Sequence, residues 1–182
     1  RVLFRSPLGV DTPSPRLSWK LRARQPGEHG LNQAAYQVLA ASGPDLLEAG
    51  RADLWDSGRV ASAAQLGVPY EGALLESGQR VWWRVRVWAD AGGEPTASET
   101  ATWEMALLTP DEWQGVWVRG AAEMPDDPDA LFGERPAPLL RTEFSVDKRV
   151  RRARLYVSGL GYYEARLNGR RGPGLSGILD RG

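Results

Sequence analysis

Arg80-Val81-Trp82-Trp83-Arg84-Val85-Arg86-Val87-Trp88-Ala89 carries the clearest strand signal in this chain of 182 residues. Val81, Trp83, Val85 and Val87 alternate with Trp82, Arg84, Arg86 and Trp88. A period of two is what a half-buried β-strand requires, because successive side chains point to opposite faces of a sheet. The odd-numbered set is predicted to face a core and the even-numbered set to form a mixed face. Shorter runs of the same character lie on either side, at Leu17–Leu21, Tyr36–Ala41, Gln65–Tyr70 and Ala101–Met105. Gly-Pro, Ser-Gly, Glu-Gly and Gly-Gly pairs punctuate them, and such pairs interrupt strands and form turns. Five to seven strands within about 105 residues, with a turn signal roughly every ten, predict an all-β fold of the immunoglobulin or fibronectin type III sandwich kind. The one helical stretch is Pro44–Ala49, opened by proline and closed by Gly50.

The composition changes after Leu108. Thr109-Pro110-Asp111-Glu112 reads as an N-cap, a proline at the first helical position and two acids favoured by the helix dipole. The sequence therefore predicts a short turn between two domains, residues 1–108 and residues 109–182. Beyond it, strands are predicted at Trp113–Val118, Leu139–Val146, Ala153–Ser158 and Tyr162–Leu167. Ala121–Pro138, acidic and without periodicity, is too long for an ordinary connection in a compact domain. Asn168-Gly169 supplies the positive-φ pair of a tight hairpin turn. About four strands fall short of the eight or so of a jelly roll, so the second domain reads as the beginning of one. Its unpaired edges and apolar face predict self-association or disorder.

The 23 basic and 23 acidic residues cancel, so no summed field draws the chain to nucleic acid or to an anionic membrane, and neither is expected as a partner. There is no cysteine and only one histidine, His29. A cysteine nucleophile, a thiolate metal site and a disulfide framework are thereby excluded, and a Ser-His-Asp triad would have to use His29. No apolar stretch approaches the roughly 18 to 20 residues that span a bilayer. The chain opens at Arg1 without a methionine, so a signal peptide was removed or never included. That leaves the compartment open, with the cytoplasm favoured over secretion.

Ser6-Pro7-Leu8-Gly9-Val10-Asp11-Thr12-Pro13 followed by Pro15-Arg16-Leu17-Ser18-Trp19 resembles the opening of the bacterial α-L-rhamnosidases, the inverting glycoside hydrolases of family 78. The likeness continues in order through Gln33-Ala34-Ala35-Tyr36-Gln37-Val38, Leu54-Trp55-Asp56-Ser57-Gly58-Arg59-Val60 and Trp82-Trp83-Arg84-Val85-Arg86-Val87-Trp88. Trp103-Glu104-Met105-Ala106-Leu107-Leu108 and Asp111-Glu112-Trp113 are similar to the family's join between domains. Leu140-Arg141, Arg154–Glu164 and Leu167-Asn168-Gly169 are similar to the start of its N-terminal jelly roll. Ala97 stands where the family has a tryptophan, and Gly172-Pro173-Gly174-Leu175 and Ile178–Gly182 depart from its continuation. The resemblance implies a fibronectin-like module, the start of a jelly roll, and catalysis by an (α/α)6 barrel elsewhere in the polypeptide. That catalytic domain is the implied partner. Inverting hydrolysis needs two carboxyl groups roughly 6.5 to 9.5 Å apart, one as acid and one as base. No acid in this chain matches a catalytic motif of the family, so no catalytic residue is assigned.

Among local candidates, His29 sits in the polar turn Gln25–Gly30 and reads as a solvated loop residue without a role. Glu123, Asp126, Asp127 and Asp129 offer oxygens to Ca²⁺, but Pro125, Pro128 and the missing EF-hand glycine favour a plain loop. Gly159-Leu160-Gly161 reads as a strand-end turn rather than a phosphate cradle. No metal and no cofactor are expected. Trp82 and Trp88 are the candidate carbohydrate-binding residues, since an exposed indole stacks on the C–H face of a sugar ring. Packing, with the stems of Arg84 and Arg86 laid between the rings, is favoured over that role. Trp19, Trp55, Trp83 and Trp103 are predicted to be core, and one of Tyr162 and Tyr163 is predicted to point inward. Three readings follow: a non-catalytic N-terminal segment of an α-L-rhamnosidase, a carbohydrate-binding module, or a fibronectin-like spacer of a surface protein. The ordered motifs past Leu108 favour the first.

Overall fold

A computed structural model of the chain describes residues 7–22, 32–90, 92–120 and 137–177, of which 172–177 are described in backbone alone. His29, Glu123, Asp126, Asp127, Asp129 and Ile178–Gly182 lie outside the described residues. In chain order the elements are β1 (Leu8–Val10), β2 (Arg16–Leu17), β3 (Gln33–Ala41), α1 (Pro44–Glu48), β4 (Trp55–Asp56), β5 (Val68–Pro69) and β6 (Arg80–Ala89). They are followed by β7 (Thr96–Ala97), β8 (Ala101–Met105), a 3-10 turn at Pro110–Glu112, β9 (Tyr163–Leu167) and β10 (Arg170–Gly177). The chain divides into two units, Arg1–Val116 and Trp117–Gly182.

The first unit is an all-β sandwich built around β6, whose alternation comes out as predicted. Val81, Trp83 and Val85 are buried, whereas Trp82, Arg84, Arg86 and Trp88 are half-buried on the opposite face. The principal sheet runs β1-β8-β6-β3-β4, with β7 also paired to β6, and the small second sheet is β2 with β5. Between the sheets, Leu17 and Val68 pack with Val38, Val81, Trp83, Val85, Trp103 and Met105. Rings meet edge to face in this core: Trp19 on Tyr36 at 5.1 Å, Tyr70 on Trp103 at 5.8 Å and Trp83 on Trp103 at 6.2 Å between centroids. Those separations are favourable for aromatic quadrupoles. Trp19, Trp83 and Trp103 are thus core as predicted, and Trp55 is half-buried against it.

The predicted strands at Leu17–Leu21 and Gln65–Tyr70 shorten to β2 and β5. They share only the Arg16–Pro69 and Leu17–Val68 pairs, and Pro69 has no N–H to extend the ladder. One pairing was not foreseen: β1 runs parallel to β8, with Glu104 N–H donating to the Pro7 carbonyl at 3.0 Å and Ala106 N–H to that of Val10 at 2.8 Å. The entering and leaving segments of the unit therefore lie side by side. α1 falls where proline and Gly50 predicted it and seats Leu47 against Leu39 and Ala41 on the other face of the sheet.

In the second unit the described order is a hairpin. β9 and β10 pair antiparallel across Asn168 (φ 49°) and Gly169 (φ 74°), both left-handed as the two-residue turn demands. Tyr163 is half-buried and Tyr162 exposed, the predicted split. The Tyr163 ring closes on Gly159, where a Cβ would come within 2.8 Å of Cδ1, which accounts for a glycine in that turn. The strands predicted at Trp113–Val118, Leu139–Val146 and Ala153–Ser158 are not formed. None of these segments belongs to a sheet among the described residues.

Candidate functional site

The two sequence candidates, Trp82 and Trp88, lie on one face of β6 but are six residues apart, about 20 Å along an extended strand. One sugar ring cannot stack on both. Trp82 packs against Leu39, Ala41 and Leu47 beneath α1, and the Arg80 guanidinium lies over its ring at 5.9 Å. Trp88 carries the Arg59 guanidinium at 5.0 Å. The cations over the indoles are thus Arg80 and Arg59, not the Arg84 and Arg86 that the sequence suggested. Arg84 turns to α1 and donates from Nη2 to the Leu47 carbonyl at 2.8 Å, leaving its buried Nε without a hydrogen-bond partner. Arg59 escaped the sequence reading because it reaches β6 from the strand-like bridge between Val60 and Tyr36, far from Trp88 along the chain.

At the Trp88 end of the sheet lies a cavity of about 460 Å³, in the range of small-molecule sites, with Trp19, Lys20, Leu21, Asn32, Trp88 and Glu94 among its lining residues. Gln33, 3% exposed, lines it too. The Trp19 indole N–H donates to Gln33 Oε1 at 2.8 Å, and Gln33 Nε2 donates to the carbonyls of Ser62 and Ala64, both at 2.9 Å. A buried amide satisfied on both ends locks Trp19, β3 and the Ser62–Ala64 segment together. Val85 and Val87 of the core face line this cavity as well.

The carboxylates of both units show what chemistry the described residues support. Glu104, 2% exposed on β8, is held by Arg80, whose Nη2 lies 3.2 Å and Nε 3.3 Å from Oε2. One guanidinium therefore pins a buried anion and covers Trp82. At Asp53, burial pushes the carboxyl up, but hydrogen bonds from the Ser42 hydroxyl and amide outweigh it and hold the group below its ordinary value. Glu112 is lowered first by the Ser77 hydroxyl and then by the Thr109 amide. Glu164 is lowered first by its hydrogen bond from Arg166, at 2.7 Å. All three shifts are towards the ionised form, whereas the proton-donating acid of a glycosidase has its value raised. Burial, and then the Asp53 charge, raises Tyr70, whose hydroxyl donates to the Ala73 carbonyl at 2.9 Å. Among the described residues no group of three or more His, Cys, Asp or Glu is placed to hold a metal ion, and no helix is long and apolar enough to cross a membrane.

Comparison with known proteins gives this arrangement its context. Residues 3–109 match the family described as the Rha78A-like N-terminal immunoglobulin domain, and residues 148–173 match the α-L-rhamnosidase N-terminal domain. The chain is 32% identical over 182 residues to an α-L-rhamnosidase of Formosa agariphila, with 90% of the chain and 18% of that protein covered. It is 36% identical over 168 residues to one of Alteromonas sp. (strain LOR), with 92% of the chain and again 18% of the relative covered. The solved structure of Streptomyces avermitilis α-L-rhamnosidase complexed with L-rhamnose is 38% identical and superposes at a TM-score of 0.57, over 65% of this chain and 11% of that one. The chain thus spans less than a fifth of the length of these relatives and coincides with a domain named for their N-terminal part. It belongs to the α-L-rhamnosidase family, as a Rha78A-like N-terminal immunoglobulin domain followed by a stretch matching the family's next N-terminal domain.

Proposed function

We propose that the chain is a non-catalytic accessory scaffold of an α-L-rhamnosidase. In this reading terminal α-L-rhamnosides are hydrolysed by a catalytic domain of the same polypeptide, which the scaffold braces. Residues 1–108 form the immunoglobulin-like module, and residues 109–182 belong to the beginning of a jelly-roll domain. The match of residues 3–109 to an N-terminal module, within a chain spanning 18% of its curated relatives, carries the reading. The carboxylates agree with it, since Glu104, Asp53 and Glu112 are each tied into structural hydrogen bonds or an ion pair. Incubated with an aryl α-L-rhamnoside, the purified chain releases no phenol above background. Turnover abolished by Glu104→Gln would overturn the assignment.

A second reading, glycan binding at Trp82 or Trp88, draws on the cavity beside Trp88. Titration with a rhamnose-containing oligosaccharide, followed by indole fluorescence, tests it. A saturable change lost in Trp88→Ala supports a binding module, and a flat trace at millimolar sugar supports the scaffold alone. Self-association through the second unit is read by light scattering, and a monomer across the concentration range argues against it.

A further inference from the structure

We propose that Glu112 is a positioning residue that fixes the direction in which the polypeptide leaves the immunoglobulin-like unit. Its Oε2 accepts from four donors: the Ser77 hydroxyl at 2.7 Å, the Leu108 amide at 3.0 Å, the Thr109 amide at 2.9 Å and the Thr109 hydroxyl at 3.1 Å. Ser77 Oγ also accepts from the Leu108 amide at 2.9 Å, which closes the ring of contacts. An ionised acceptor makes such bonds shorter and stronger than neutral pairs do.

Ser77 is a firm anchor. It belongs to the turn before β6, where Gly78 N–H donates to the Ala106 carbonyl at 3.1 Å, Met105 N–H to that of Gln79 at 2.8 Å, and Glu76 N–H to Gln79 Oε1 at 2.8 Å. The latch thus ties the exit to the end of the central sheet. On the other side of it the 3-10 turn is closed by Trp113 N–H donating to the Pro110 carbonyl at 3.0 Å, and residues 113–116 are exposed and form no strand. The latch joins the exit turn to the end of the sheet through one carboxylate, which sets the heading of the exit. For a scaffold that heading decides how it is presented to whatever follows. The inference itself rests on the geometry of residues 76–113 and stands or falls independently of the rhamnosidase reading.

The chain has no cysteine, so an Arg51→Cys/Val116→Cys variant takes two spin labels, both at exposed sites of the same unit. Pulsed dipolar spectroscopy should give a narrow distance distribution, and Glu112→Ala should widen it by about twofold, with Ser77→Ala widening it less. Glu112→Gln, which keeps an oxygen acceptor, should recover part of the narrow width. In unlabelled chain, exchange of the Leu108 and Thr109 amides should rise by roughly tenfold in Glu112→Ala while β6 amides stay protected. Unchanged width and exchange in Glu112→Ala would overturn the proposal. So would widening that comes only with loss of β6 protection, because the residue would then be holding up the whole unit rather than its exit.

Discussion

The two units of the chain carry sequences of similar character and reach very different ends. In the first, Val38, Val81 and Trp83 are almost wholly removed from water between two sheets. In the described part of the second no residue is buried, and Leu139 stands 99% exposed. Both contain runs in which apolar residues alternate with polar ones. Alternation states which side chains need cover, and a strand forms only where a neighbour supplies both that cover and the ladder hydrogen bonds. Val81–Val87 finds β3 on one side and β8 with β7 on the other. Leu139–Val146 and Ala153–Ser158 belong to no sheet among the described residues. An isolated two-stranded hairpin is marginal in water, which is the condition of β9 and β10 as described.

Limited proteolysis gives this contrast its largest measurable form. Trypsin should cut at Arg141, Arg149, Arg151 and Arg170 on the order of 10³-fold faster than at Arg80, Arg84 or Arg86, whose cleavage waits for global opening. Equal rates on a gel would erase the distinction between the units. Substitution in the two regions comes next. Trp83→Ala should lower the stability of the first unit by about 3 to 5 kcal/mol in urea titration, whereas Leu155→Ala should change it by less than about 0.5 kcal/mol. A Leu155→Ala loss as large as that of Trp83→Ala would mean that the second unit is packed after all. Gln33→Leu keeps the volume but orphans the Trp19 indole and two carbonyls, at about 2 to 3 kcal/mol. A neutral result would show that water reaches those groups.

The smallest effect is one of pH, and it has a member in each unit. Glu112, through Ser77, and Glu164, through Arg166, are both held below the ordinary glutamate value of 4.5. A folded value lower than the unfolded one stabilises fully above 4.5, and the contribution is lost as pH falls through the folded value. Both sites are solvent-exposed, so the change is local. Amide exchange corrected for its intrinsic pH dependence should loosen at Thr109 and in β9 between pH 5 and pH 3 while β6 is unmoved, given the ordinary range over which carboxylates titrate. Loosening as pH rises through that range would reverse the sign and contradict the assignments.

Much of the first unit was legible because its signals are local. The alternation of Val81, Trp83 and Val85 needs no tertiary knowledge, and Pro44 with Gly50 brackets α1 by backbone chemistry alone. The same holds for Asn168-Gly169. The two- and three-residue strands β1, β4 and β7 were not legible, since so few residues show no period and their pairing is decided by distant partners. The strands expected at Trp113–Val118, Leu139–Val146 and Ala153–Ser158 belong to no sheet among the described residues, because a side-chain pattern states a need for cover and does not supply it. At the candidate site the sequence picked out Trp82 and Trp88 but assigned their covering cations to the nearest arginines. Trp82 is covered by Arg80, as near to it along β6 as Arg84 is, and Arg59 reaches Trp88 only because the Val60–Tyr36 bridge folds it there. Gln33 and Glu104, the two buried polar residues among those described, stand in blocks that resemble the family, but nothing in the sequence marks their burial or their partners.

The parallel seating of β1 against β8 bears on mechanics. Tension between the two ends of the first unit draws these neighbouring strands past one another lengthwise, so the Glu104–Pro7 and Ala106–Val10 bonds are loaded in shear together instead of peeling apart in turn. A tether joined in that way is stiff up to its rupture force and then yields at once.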